Sequence, residues 1–208
     1  MTAGRFISLE GGEGAGKSTQ ATRLAEALGR QGIDARVTRE PGGSEGAEAI
    51  RALLLAGAVT RWSAHSETLL FAAARADHVE RTIRPAIEAG AWVICDRFID
   101  STRAYQGAQG IDDAAILALH GFGSKGLLPD RTLVLEIGPD EGAARASVRD
   151  AGALDRFAAR GPAFHQDVAA AFRRIANREP DRVRLIDATG EADDVTARLI
   201  EHIADLLP

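Results

Sequence analysis

The chain has 208 residues, enough for one domain with a full hydrophobic core. Its 25 Lys and Arg against 30 Asp and Glu give a net charge of −5, which leaves no broad basic surface and argues against a general nucleic-acid binder. One cysteine excludes an internal disulfide, and no apolar run approaches the ~20 residues that cross a bilayer.

The first strand pattern follows within a few residues of Met1, so no signal peptide is expected and the chain reads as cytoplasmic. That strand spans Phe6 to Glu10 and runs into Gly11-Gly12-Glu13-Gly14-Ala15-Gly16-Lys17-Ser18, the spacing G-x-x-x-x-G-K-[ST], with Thr19 next. A helix over Thr19 to Arg30 follows, with Leu24, Ala27 and Leu28 on one face. Strand, glycine loop and helix together make a phosphate-binding P-loop. Its backbone N–H groups close around phosphate oxygens, and the helix N-terminus adds a favourable dipole. Lys17 reaches the terminal phosphates and Ser18 offers a hydroxyl to magnesium. The loop specifies a nucleoside triphosphate such as ATP, but not what is done with it.

Further apolar runs predict strands at Ala35 to Arg39, Trp92 to Asp96, Thr132 to Ile137 and Arg184 to Asp187, with helical stretches between. Continuous apolar strands alternating with helices predict a five-stranded parallel sheet sandwiched by helices, a P-loop α/β fold in one domain over residues 1–208. Ligands of such sheets sit at the carboxyl ends of the strands. There the sequence places Glu13 and Lys17, then Arg39 and Glu40, then Asp96 and Arg97. Gly138 to Arg174 predicts a helix, a short loop at Asp150-Ala151-Gly152 and a second helix from about Leu154. This small helical lid covers approximately residues 142–162. Cys95 lies within a strand and reads as a small buried hydrophobe. His78 and His120 read as helix-surface or packing residues, Arg160 and His165 as parts of a solvated helix face.

Asp96 ends its strand where P-loop enzymes carry the acid that holds magnesium, and Arg97 beside it can grip a second phosphate with two parallel hydrogen bonds. The acceptor is therefore expected to be phosphorylated itself. Phe71 and Arg75 are four apart, on one helical face, and pair a stacking ring with a planar donor. Without further motifs, that pair reads better as a core Phe beside a surface Arg.

Asp96-Arg97-Phe98-Ile99-Asp100-Ser101-Thr102-Arg103-Ala104-Tyr105-Gln106 resembles the D-R-[FYH]-x-x-S-x-x-A-Y-Q segment of thymidylate kinases. Thr38-Arg39-Glu40-Pro41-Gly42-Gly43-Ser44 resembles the family's T-R-E-P-G-G-T loop, Leu70 to Arg75 its L-F-x-A-x-R helix, and Leu154-Asp155-Arg156 its L-D-R. The matches run in the family's order from about residue 6 to residue 175. The resemblance implies transfer of the ATP γ-phosphoryl group to thymidine 5′-monophosphate (dTMP), with magnesium as cofactor and a homodimer as the assembly. It implies that Phe71 stacks on thymine, that Arg75 contacts a base carbonyl, and that Glu40, Ser101, Thr102 and Gln106 line the acceptor pocket. Tyr105 would crowd the sugar C2′ position, and Glu13 would face the 3′-hydroxyl or its hydrated magnesium.

Some members of the family carry a catalytic arginine directly after the P-loop acid. Here that position is Gly14, so the chain resembles the bacterial subtype that supplies the arginine from the lid. Arg149 is the first choice and Arg156 the second, with Arg145 over the adenine ring. Ala158 stands where L-D-R-x-E carries Glu, and Glu136 where Asp is common. A kinase for another nucleotide or nucleoside is the nearest alternative. A GTPase switch would need an N-K-x-D segment, which this sequence lacks.

Overall fold

The computed structural model describes residues 4–138, 141, 142, 144, 145 and 156–208. Strand β1 (Phe6–Gly11) runs through the loop into helix α1 (Lys17–Arg30), followed by β2 (Ala35–Arg39), α2 (Glu45–Leu55) and α3 (Ala64–His78). A π-helical turn, Val79–Ile83, carries α3 into the short α4 (Arg84–Glu88). Then come β3 (Trp92–Asp96), α5 (Ile99–Tyr105), α6 (Asp113–Ser124), β4 (Arg131–Glu136), α7 (Pro162–Arg178), β5 (Val183–Asp187) and α8 (Ala192–Glu201).

The five strands form one parallel sheet in the order β2-β3-β1-β4-β5. β1 and β3, the two strands that carry phosphate chemistry, are neighbours, and Leu9 pairs with Asp96. The loop after β1 and the acid ending β3 therefore open at the same edge. On one face, Ile7, Leu9, Ile94, Leu133 and Leu135 pack against Leu24 and Leu28 of α1 and Val195 and Leu199 of α8. On the other, Phe6, Val93, Cys95 and Phe98 meet Val79, Ile83 and Ile116, while Val134 and Val183 meet Phe172 and Ile175 of α7. Each central strand is buried on both faces, which is why it reads as an uninterrupted apolar run.

The expected second helix from about Leu154 begins instead at Pro162, with residues 156–159 in turns. Gly161-Pro162 sets that boundary. Proline fits the first helical position, where no N–H is needed, and cannot continue a helix arriving from before it.

Candidate active site

A cleft of about 400 Å³ opens at the carboxyl edge of the sheet. The P-loop contributes Glu13, Gly16, Lys17, Ser18 and Thr19, and the end of β3 contributes Asp96 and Arg97. The loop after β2 brings Arg39, Glu40 and Pro41, α3 brings Phe71 and Arg75, and α5 brings Ser101, Thr102 and Tyr105, with Gln106 just after it. These residues were singled out from four separate stretches of sequence, and the fold gathers them in one cavity. Leu55, Arg51 and Phe157 also line it and were not foreseen.

The loop conformation requires its glycines at two points. Gly11 has φ +132°, and a Cβ there would lie 2.4 Å from the Leu135 carbonyl oxygen. Gly14 has φ +71°, and its Cβ would lie 2.0 Å from the carbonyl oxygen of Gly142. A side chain at Gly14 meets backbone, so no arginine fits this position in the conformation observed.

Lys17 Nζ donates to the Gly12 carbonyl at 2.6 Å. Burial, with the Arg97 guanidinium beside it, pulls the ammonium down to about 8. Ser18 Oγ donates to Asp96. This adjacent hydroxyl and carboxylate form a hard-oxygen pair of the type magnesium prefers. Arg97 adopts φ +69°, uncommon for a non-glycine residue and costly enough to need support from its surroundings. The support is visible: its N–H donates to Leu9 at 2.9 Å. Its guanidinium donates to the Gly11 carbonyl at 3.1 Å, Ser101 Oγ at 3.2 Å and Glu13 at 2.6 Å. Tyr105 donates its hydroxyl to Glu13 at 3.1 Å, and the Arg97 guanidinium lies 5.1 Å from the centre of its ring.

Beneath Arg97 sits Glu10, a buried residue not identified from the sequence. It accepts from the Phe98 N–H at 2.7 Å and from Ser101 Oγ. Burial and the nearby Asp100 carboxylate raise Glu10 to about 8. Cys95, fully buried, has its thiol held well above the usual range by burial.

At the far end of the cleft, Arg75 donates to Glu40 at 2.7 Å, Thr102 Oγ1 at 2.8 Å and the Phe98 carbonyl at 3.2 Å. Glu40 also meets His78 Nδ1 at 3.1 Å, and His78 Nε2 lies 2.7 Å from Thr38 Oγ1. His78 is fully buried and belongs to this polar chain, not to a helix surface. His120 is buried too, edge-on to Phe98, with Nε2 2.7 Å from the Leu127 carbonyl. Gln106 is 1 % exposed, and its amide nitrogen donates to Glu67 at 2.9 Å while its Oε1 has no protein partner.

The lid residues divide. Arg149 lies outside the described residues. Arg156 is buried and does not reach the P-loop. It donates to the carbonyls of Leu54 at 2.9 Å, Val59 at 3.0 Å and Ala58 at 3.2 Å, and it lies 2.9 Å from Glu67. As arranged here it clamps α2 to α3, and its reading as an alternative catalytic arginine stays a proposal. Arg160 is also no solvated residue, lying 3.5 Å from Glu67 and donating to Gln109 at 3.0 Å. Arg145 donates to the Ala188 carbonyl at 3.3 Å and pairs with Glu141 at 2.5 Å, which puts it beside the loop after β5. Glu67 escaped sequence analysis, yet a signal existed. Glu67, Phe71 and Arg75 recur every four residues and share one stripe of α3, of which Phe71 and Arg75 line the cleft.

Comparison with known proteins agrees with this geometry. The family model described as thymidylate kinase matches residues 9–199. The chain is 63 % identical over 206 residues to a thymidylate kinase of Rhizorhabdus wittichii, covering 99 % of each chain. It is 53 % identical to one of Caulobacter vibrioides, over 100 % of this chain and 99 % of the relative. A crystal structure of thymidylate kinase from Ehrlichia chaffeensis superposes with a TM-score of 0.78 at 33 % identity, covering 96 % of this chain and 98 % of that one. The sequence motifs, the cleft they form and these matches have one reading, and the chain belongs to the thymidylate kinase family.

Proposed function

We propose that the chain transfers the γ-phosphoryl group of ATP to dTMP, giving dTDP and ADP. One observation carries the reading: a phosphate-binding end (Lys17, Arg97) and a planar recognition end (Phe71, Arg75, Gln106) share a single cleft. The P-loop holds the ATP phosphates, with Arg145 near Ala188 placed to stack on adenine. Magnesium, held by Ser18 and Asp96, supplies charge neutralisation on the phosphates. Lys17 leaves the Gly12 carbonyl to meet phosphate oxygens, and Arg97 takes the acceptor phosphate. That phosphate has a second pKa of about 6 and is mostly dianionic at neutral pH, so no general base is required. The chain's task is to bring two polyanions together, and its cations offset their repulsion.

Phe71 offers its face to the base, Arg75 donates to a ring carbonyl, and the unpartnered Gln106 Oε1 awaits a donor such as thymine N3–H. Tyr105 closes the sugar side and excludes a 2′-hydroxyl. The lid around residues 142–162 supplies Arg149 to the migrating group and excludes water. A second copy of the chain covers the apolar surface of α3 and α6, where Phe122 is 91 % and Leu69 55 % exposed. No helix among the described residues is long and apolar enough to cross a membrane. With the single buried Cys95, this supports a cytoplasmic enzyme. Incubation with ATP, magnesium and each nucleoside monophosphate separately tests the assignment. The highest kcat/KM is expected for dTMP, and a higher value for any purine monophosphate would refute the base pocket.

A further inference from the structure

Gln106 can read a base only if its amide is held one way round. An amide turned by 180° would present NH2 where a carbonyl oxygen now stands, reversing the hydrogen-bond sign of the pocket. Nothing in Gln106 itself chooses between the two. The choice comes from Glu67, fully buried on α3 behind the cleft.

Glu67 Oε1 accepts from Gln106 at 2.9 Å and from the Gln109 amide at 2.8 Å. Gln109 is itself oriented, because its Oε1 accepts from Arg160. Glu67 Oε2 faces the Arg156 guanidinium at 2.9 Å. An ionised carboxylate only accepts, so the Gln106 NH2 must turn toward it and Oε1 must turn toward the cleft. Arg156 and Arg160 flank the buried carboxylate, at 2.9 and 3.5 Å.

We propose that Glu67 is a specificity-determining residue that acts through Gln106: it fixes the amide so that the pocket presents an acceptor to the base and so selects a base with N3–H over one with an unprotonated N3. This rests on the dTMP reading of the cleft. The Glu67→Met substitution makes this testable. Methionine keeps the length and offers no acceptor to Gln106 or Gln109, so nothing then holds the Gln106 NH2 away from the cleft. The amide can turn over and present NH2, a donor suited to the N3 of cytosine. Arg75 still opposes the exocyclic amino group of cytosine, so the exchange is partial.

The experiment compares kcat/KM for dTMP and for 5-methyl-deoxycytidine monophosphate, which keeps the methyl group and alters only the 4-position and N3. The native chain is expected to prefer dTMP by at least about a hundredfold. In Glu67→Met that ratio is expected to fall by about tenfold, the worth of one hydrogen bond. Glu67→Asp keeps the carboxylate acceptor and is expected to keep the ratio within about threefold, whatever its absolute activity. Should Glu67→Met not fold, as judged by circular dichroism, Glu67→Met/Arg156→Met removes the uncompensated cation, leaves the Gln106 amide equally free and is expected to show a lowered ratio as well. A loss of activity shared equally by both substrates, with the ratio unchanged in the Met variants, would show that Glu67 only holds the fold and would overturn the proposal. No preference for dTMP in the native chain would instead overturn the base-pocket reading itself.

Discussion

The ion pair between Arg75 and Glu40 offers the strongest test of the site's architecture. Both side chains are buried, at 3 % and 4 % exposure. Replacing Arg75 with Leu removes three hydrogen bonds and leaves the Glu40 carboxylate with His78 as its remaining ring partner, 3.1 Å away. Breaking a buried pair by deleting one partner costs about 3–5 kcal/mol, because the other charge stays desolvated. A domain of this size loses roughly 2–4 °C of Tm per kcal/mol, so Arg75→Leu should lower Tm by about 6–20 °C. Adding Glu40→Gln removes the stranded charge and should recover at least half of that loss. Thermal unfolding of the ligand-free chain at neutral pH measures both, since bound nucleotide would mask the difference. The reasoning fails if Arg75→Leu costs less than about 1 kcal/mol, the range of exposed pairs, or if the double variant is no more stable than the single. Lysine is not a conservative replacement here, because a point charge cannot reach Glu40, Thr102 and the Phe98 carbonyl in one plane.

Other expectations follow from the same cleft. Lys17, lowered to about 8 in the free chain, loses its proton as pH rises through that value, so kcat/KM for ATP should decline above about pH 8. kcat should hold to higher pH, because bound phosphates favour the charged ammonium; a flat kcat/KM for a full unit beyond 8 would refute the assignment. Lys17→Met should cut turnover by orders of magnitude with the fold intact by circular dichroism. Tyr105→Phe should retain exclusion of ribose while losing its bond to Glu13, whereas Tyr105→Ala should raise relative activity on ribothymidine monophosphate. An unchanged deoxy-to-ribo ratio in the alanine variant counts against the steric role. For the lid, Arg149→Ala should lower kcat by roughly 10³-fold or more with little change in acceptor KM, and Arg145→Ala should chiefly raise KM for ATP. Arg156→Ala should instead destabilise the chain. A kcat loss under about tenfold for Arg149→Ala removes it from the mechanism.

What the sequence disclosed and what it concealed follow from the range of the interactions involved. The central strands β1, β3 and β4 were legible to within a residue because a strand buried on both faces has no polar alternative, and the edge strands β2 and β5 because they alternate with helices. The P-loop was legible because its chemistry is local: a left-handed Gly14, a lysine and a hydroxyl lie within a few residues of one another. The helix start near Leu154 was misplaced because helical spacing outweighed the stop signal of Gly161-Pro162. Glu10, Glu67 and His78 were missed or misread for another reason. Periodicity identifies which residues share a face, but a charged residue on that face gives no sign of whether its partner lies 35 residues away, as Glu40 does from Arg75.

Arg156 is the sharpest case. Its family motif suggested phosphate chemistry, yet most of its donors are taken by backbone carbonyls, which no side-chain pattern can announce. The consequence is mechanistic. With Gly14 closed to any side chain and Arg156 committed beside Glu67, neither the P-loop position nor this lid position offers an arginine to the migrating phosphoryl group in this conformation. Arg97 is committed to Glu13 and Ser101 until an acceptor phosphate displaces them. Charge developing midway between the two nucleotides is proposed to fall to Lys17, to the magnesium that Ser18 and Asp96 would hold, and to Arg149. Arg39 and Arg51 also line the cleft, so Arg149→Ala must lower kcat more than Arg39→Ala or Arg51→Ala for that assignment to stand.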